Sequence, residues 1–108
     1  MRRAVMTSGA MLVLAAVLPG ARGASPDPAR IEIKDFEFEP AELTVPVGTR
    51  VTWTNEDVDS HTVVSGSGLF RSGGLDTGDS FSYTFDKPGT YRVTCSVHPK
   101  MVGTVIVK

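Results

Sequence analysis

The chain has 108 residues, with 11 Lys plus Arg against 12 Asp plus Glu and a formal net charge of −1. That length points to one domain, and the balanced charge excludes the basic footprint of a nucleic-acid binder. Hydrophobic residues at 41% and charged residues at 21% describe a globular chain, and a single cysteine excludes an intramolecular disulfide.

The first element is a targeting segment. Arg2 and Arg3 make a basic start, Ala10 to Leu18 is an apolar run of nine residues, and Ala21 and Gly23 place small residues ahead of a cleavage point. This is the layout of a secretory signal peptide over residues 1–23, cut between Gly23 and Ala24. A membrane anchor is the competing reading, but it needs about 20 apolar residues, and Pro19-Gly20 ends the run early. The mature chain then keeps eight basic residues against twelve acidic ones, a net charge of −4, and has no membrane span. Residues 24–30 form a mobile lead-in, and a single domain is expected over 31–108.

From Ile31 onward no helical period stands out. Short β-rich runs alternate with turn residues, the pattern of an all-β sandwich of seven or eight strands. Strands are expected near 31–38, 43–47, 50–55, 61–65, 79–85, 90–95 and 103–107, with a short one at 69–71. Val51 and Trp53 share a face, as do Phe81, Tyr83 and Phe85, and as do Tyr91, Val93 and Cys95. The last row aims the Cys95 sulfur inward. Pro46 cannot donate to a ladder, so the 43–47 strand ends there or lies at an edge. Residues 66–79 are the least regular stretch.

The mature chain contains one Cys, one Met and two His, and three of these four lie within seven residues: Cys95, His98 and Met101. His61 lies 34 residues before Cys95, at the start of another strand. Two His, one Cys and a weak thioether are the donor set of a trigonal copper site with a long axial sulfur. Zinc competes for Cys and His, but it has no call for the Met. Taken singly, each residue has a plainer role: a buried apolar Cys, a surface His, a core-filling Met.

Asn55 either ties loops together through its side chain or makes an Asx turn ahead of Glu56-Asp57. Trp53, alternating with Val51, is read as core rather than as an electron relay. Glu56, Asp57 and Asp59 are read as a solvated loop, with a docking patch as the alternative.

These segments together resemble the cupredoxins, small blue (type 1) copper proteins. The resemblance runs over Ile31–Pro40, Val47–Asn55, His61–Val63, Phe85–Tyr91 and Cys95–Val105. The Cys-x-x-His-x-x-Met spacing is similar to that of amicyanin, whereas plastocyanin places the Met further on. The resemblance implies a Greek-key β-sandwich holding one copper ion that cycles between Cu(I) and Cu(II). It makes His61, Cys95 and His98 equatorial ligands, the histidines through Nδ1, and Met101 the axial ligand. Val97 stands where amicyanin-type loops usually have Pro, and Thr62 where Asn is common. Both departures leave the ligand set intact.

The function implied is one-electron transport in a bacterial periplasm, by a monomer exchanging electrons with redox proteins such as a c-type cytochrome or a periplasmic dehydrogenase. Three equatorial ligands and an axial Met leave no open coordination position, which a catalytic metal normally keeps, so no enzyme activity is expected. A periplasmic copper carrier or sequestration protein using the same ligands is the alternative. A structural sandwich with an accidental donor cluster is the third reading.

Overall fold

The computed structural model describes residues 25–108. The signal peptide expected over residues 1–23 therefore lies outside the described residues. Among those residues there are eight strands and no helix, and so no helix long and apolar enough to cross a membrane. The strands are β1 (Ala29–Lys34), β2 (Glu37–Glu39), β3 (Glu42–Val45), β4 (Thr49–Asn55), β5 (Val64–Ser65), β6 (Ser80–Phe85), β7 (Gly89–Thr94) and β8 (Val102–Val107).

They form two four-stranded sheets, in the orders β2-β1-β4-β6 and β3-β8-β7-β5. The pairs β1/β4 and β3/β8 are parallel; the remaining pairs are antiparallel. Alternating apolar residues from both sheets meet in one core, with Ile33, Val51, Trp53 and Phe85 from the first and Val93, Val105 and Val107 from the second. Trp53 is 1% exposed and packs against Phe70, Phe81 and Phe85, as its alternation with Val51 requires. β3 stops one residue before Pro46 and lies at a sheet edge, so Pro46 takes no donor from a ladder.

Three expected strands differ. The run 31–38 is not one strand but the hairpin β1–β2, with Lys34 opposite Glu37 and Asp35-Phe36 as a two-residue turn. Both turn residues have positive φ, 54° and 61°, the geometry that matches a tight turn to the twist of its strands. The sequence carries the sign of it: Ile31 and Ile33 fall on odd positions, Phe36 and Phe38 on even ones, so the alternation changes phase at the turn. The run 61–65 shortens to β5, with His61 in an isolated bridge to Leu75. Residues 69–71 form no strand; Arg71 makes one bridge to Val64.

Candidate metal centre

Cys95 follows β7 directly, continuing the inward row of Tyr91 and Val93, and is 1% exposed. His61 is held by both its backbone bonds to Leu75, donating at 3.1 Å and accepting at 2.7 Å, and is fully buried. These two placements bring residues from separate loops together, with His61 Nδ1 lying 3.8 Å from Cys95 Sγ. The other ring nitrogen, Nε2, is 2.9 Å from Asp57 Oδ2. An ionised carboxylate only accepts, so Nε2 carries the proton and the Nδ1 lone pair faces the sulfur.

His98 stands on the loop between β7 and β8. Its ring centroid lies 4.9 Å from that of His61. Met101 is 4% exposed, and its amide donates to the His98 carbonyl at 2.9 Å, closing the loop into a turn. Phe36, Val97, His98, Pro99 and Met101 line a surface groove of about 490 Å³. Among the described residues, no three His, Cys, Asp or Glu side chains close on one another as a ready metal cage. The structure thus places all four sequence candidates at one end of the sandwich and brings His61 and Cys95 into direct apposition.

Several groups act on the sulfur. The Thr62 amide donates to Sγ at 3.3 Å, and the Thr62 hydroxyl lies 3.7 Å from it. That hydroxyl accepts the Ser96 amide at 2.8 Å and meets the Ser96 hydroxyl at 2.9 Å, so Thr62 ties the His61 loop to the Cys95 loop. Burial pushes the Cys95 thiol up. The Thr62 amide, the Val97 amide and the Thr62 hydroxyl act against it and favour the thiolate. The thiolate is the form that ligates metal.

This donor chemistry suits a copper ion. Two ligands sharing one trigonal metal, at bonds of about 2.0–2.3 Å, stand about 3.7 Å apart. The observed 3.8 Å between His61 Nδ1 and Cys95 Sγ is close to that separation.

Asn55 fills both roles that the sequence offers it. Its Nδ2 donates to the carbonyls of Asp59 and Leu75, at 2.9 and 2.8 Å, and its Oδ1 accepts the Asp57 amide at 2.8 Å in an Asx turn. Asp57, read from the sequence as part of a solvated loop, belongs to the site instead. Its carboxylate accepts from the amides of Asp35 and Phe36 as well as from His61. Burial raises the Asp57 carboxyl, but the Phe36 and Asp35 amides and the His61 ring hold it below its ordinary value. The available signal was its spacing, four residues before His61, which is easily taken for loop polarity. Phe36 was also missed: it packs edge-on against both imidazoles.

Comparison with known proteins agrees with this architecture. A family model for the cupredoxin-like domain matches residues 5–107. Amicyanin-alpha of Methylorubrum extorquens is 30% identical over 106 residues, covering 94% of this chain and 89% of that protein. The solved structure of a novel purple cupredoxin from Nitrosopumilus maritimus is 39% identical, with a TM-score of 0.69, covering 74% of this chain and 99% of that one. A domain of the Cu-containing nitrite reductase from Thermus scotoductus also superposes, with a TM-score of 0.72 at 33% identity, covering 82% of this chain but 24% of the enzyme.

Proposed function

Since the chain belongs to the cupredoxin-like domain family, we propose that it is a periplasmic carrier of single electrons. In this reading it works as a monomer through one copper ion, held by His61, Cys95 and His98 with Met101 as the axial ligand. The observation that carries the reading is the apposition of His61 Nδ1 and Cys95 Sγ at 3.8 Å, with Nε2 already committed to Asp57. Bound copper supplies the one-electron couple. The protein's part is to present a thiolate, to hold the His61 proton on Nε2, and to keep water from the buried sulfur. A rigid sandwich suits this work, because ligands that do not move between oxidation states add little to the barrier for transfer.

The exposed surface around His98 offers partners a short path to the metal. Val97 there is 57% exposed. A c-type cytochrome or a periplasmic dehydrogenase is the class of partner proposed. The likeness to a nitrite reductase covers only 24% of that enzyme, and the four ligands proposed here leave no position for a substrate. We therefore read the chain as a carrier of electrons and not as an enzyme.

Adding Cu(II) to the metal-free protein tests the reading. An intense visible charge-transfer band is expected, and Cys95→Ser should abolish it. A colourless copper complex would overturn the proposal. The colour of the band carries information as well, since the Nitrosopumilus relative is described as purple. Copper kept through repeated oxidation and reduction in the presence of a chelator marks an electron shuttle. Rapid loss to the chelator marks a copper carrier.

A further inference from the structure

The tip of the β1–β2 hairpin holds a conformation that its own residues disfavour. Asp35 and Phe36 both lie in the left-handed region, at φ 54° and 61°. Asn-Gly or Asp-Gly is the pair that such a turn prefers, and a bulky Phe there is an outlier that persists only where its surroundings over-determine it. The hairpin itself contributes the Lys34–Glu37 pair across the turn, and further support comes from outside it. It comes from 22 and 21 residues away, where the Asp57 carboxylate accepts the Asp35 amide on Oδ1 at 2.7 Å and the Phe36 amide on Oδ2 at 2.9 Å. Hydrogen bonds to an ionised acceptor are the strong ones, and each is comparable in size to the strain of one such residue.

The same carboxylate takes the His61 Nε2 proton at 2.9 Å. Asp57 is itself anchored: its amide donates to Asn55 Oδ1 at 2.8 Å, and its carbonyl accepts the Thr77 hydroxyl at 2.6 Å. It is a fixed post between two elements. The strained tip puts the Phe36 ring 5.1 Å from the His61 ring at 86° and 4.7 Å from the His98 ring at 81°, edge-on to both. Phe36 remains 44% exposed, so burial in the core does not account for an aromatic residue at this position. A glycine would relax the turn but would leave both imidazoles uncovered on that side.

We propose that Asp57 is a positioning residue for the metal centre, latching the β1–β2 tip to His61 so that Phe36 holds both imidazole rings in their ligating arrangement before metal arrives. The latch rests on the copper reading for its purpose but not for its geometry. One carboxylate sets the His61 tautomer directly and the His98 ring position through Phe36. A carboxylate behind a ligating His is a known way to fix ring orientation and tautomer. Here it also braces a separate hairpin.

Asp57→Asn tests this in the metal-free protein, with nearly the same side-chain shape. An amide has one accepting oxygen. If that oxygen takes the Oδ1 place, it keeps the Asp35 amide, and the NH2 faces both the Phe36 amide, which loses its acceptor, and His61 Nε2, which must then accept, so the proton moves to Nδ1. If the oxygen takes the Oδ2 place, it keeps the Phe36 amide and His61 Nε2, and the Asp35 amide alone loses its acceptor. Two readouts follow: nitrogen-15 shifts of the His61 ring, and hydrogen exchange of the Asp35 and Phe36 amides. In the natural chain His61 should be protonated at Nε2 and both amides protected. In the variant we expect either a shift toward the Nδ1-protonated tautomer with faster exchange at the Phe36 amide, or faster exchange at the Asp35 amide alone, by about tenfold in each case, the scale of one lost charge-assisted bond. Phe36→Ala should leave the His61 tautomer in place and broaden the His98 ring signals more than those of His61.

Unchanged His61 shifts together with unchanged exchange in Asp57→Asn would overturn the proposal. So would His98 signals indifferent to Phe36→Ala, which would reduce the latch to a hairpin brace. Copper titration of the natural chain separates the two readings. Variants that behave as expected in a protein giving no charge-transfer band would support the latch and overturn the copper assignment.

Discussion

His61 and His98 bring the same ring to the same end of the sandwich, but from very different surroundings. His61 is fully buried, bridged to Leu75 through both backbone groups and bonded to Asp57 through its side chain. Asn55 reinforces that frame by binding the carbonyls of Asp59 and Leu75. His98 rides on a seven-residue link between β7 and β8, next to an exposed Val97. What holds its ring among the described residues is packing against Phe36 and His61. One half of the site is thus part of the folded frame, and the other half is added to it by a short loop. A redox centre gains from this division: the buried half limits rearrangement, and the loop half reaches partners.

Substituting the two histidines gives the sharpest contrast. His61→Ala should destabilise the metal-free protein by about 3 kcal/mol, because it opens a cavity and leaves the buried Leu75 and Asp57 region without its filler. His98→Ala should cost less than about 1 kcal/mol, as it removes only surface packing. Denaturant unfolding of both variants measures the difference. Equal losses would mean that the two halves are built alike.

The frame around His61 can be broken without touching a proposed ligand. Asn55→Ala removes a fully buried side chain that satisfies two carbonyls and one amide. The expected cost is about 2–3 kcal/mol in the same unfolding measurement, the price of buried polar groups left unpaired. A loss below about 0.5 kcal/mol would show that water replaces Asn55 readily.

Gly103 probes where the loop half rejoins the sheet. A Cβ there would lie 3.2 Å from Phe38 Cδ2 and 3.3 Å from Phe38 Cβ. Gly103→Ala should therefore cost about 1 kcal/mol by prising β2 from β8. Since β2 ends the hairpin that carries Phe36, the His98 ring signals should shift as well.

Val97 gives the smallest effect. Its amide is one of the groups that lower the Cys95 thiol, and proline in its place has no N–H to offer. A bond from that amide draws electron density from the thiolate and favours Cu(I). Val97→Pro should lower the reduction potential by about 40 mV, the one-electron equivalent of about 1 kcal/mol. An unchanged or higher potential, with the visible band intact, would leave Val97 only an apolar cover for the site.

Most of the strands could be read from alternation, because a half-buried strand must present apolar side chains every second residue. Trp53 was placed in the core on that ground, and Cys95 was pointed inward by the row of Tyr91 and Val93. The 31–38 run was misread because both halves of a hairpin alternate; only the change of phase between Ile33 and Phe36 betrays the turn. His61 was read as opening a strand, whereas one bridge to Leu75 holds it. That pairing depends on an irregular segment whose path has no periodic signature.

The candidate donors themselves were legible because soft and borderline ligands are so few in this chain that their clustering stands out. Their number and spacing follow from composition alone. What composition could not reveal is which neighbours orient them. Asp57 looks like any acidic loop residue until the fold sets its carboxylate against amides 21 and 22 positions earlier and a ring four positions later. Phe36 looks like one more strand residue until its left-handed backbone turns the ring toward two histidines. Periodicity reports the face on which a side chain lies and is blind to the partner it meets there. Hydrogen bonds and ring contacts act over only a few ångströms, so which of them form is decided when the two sheets and their loops close around a common core.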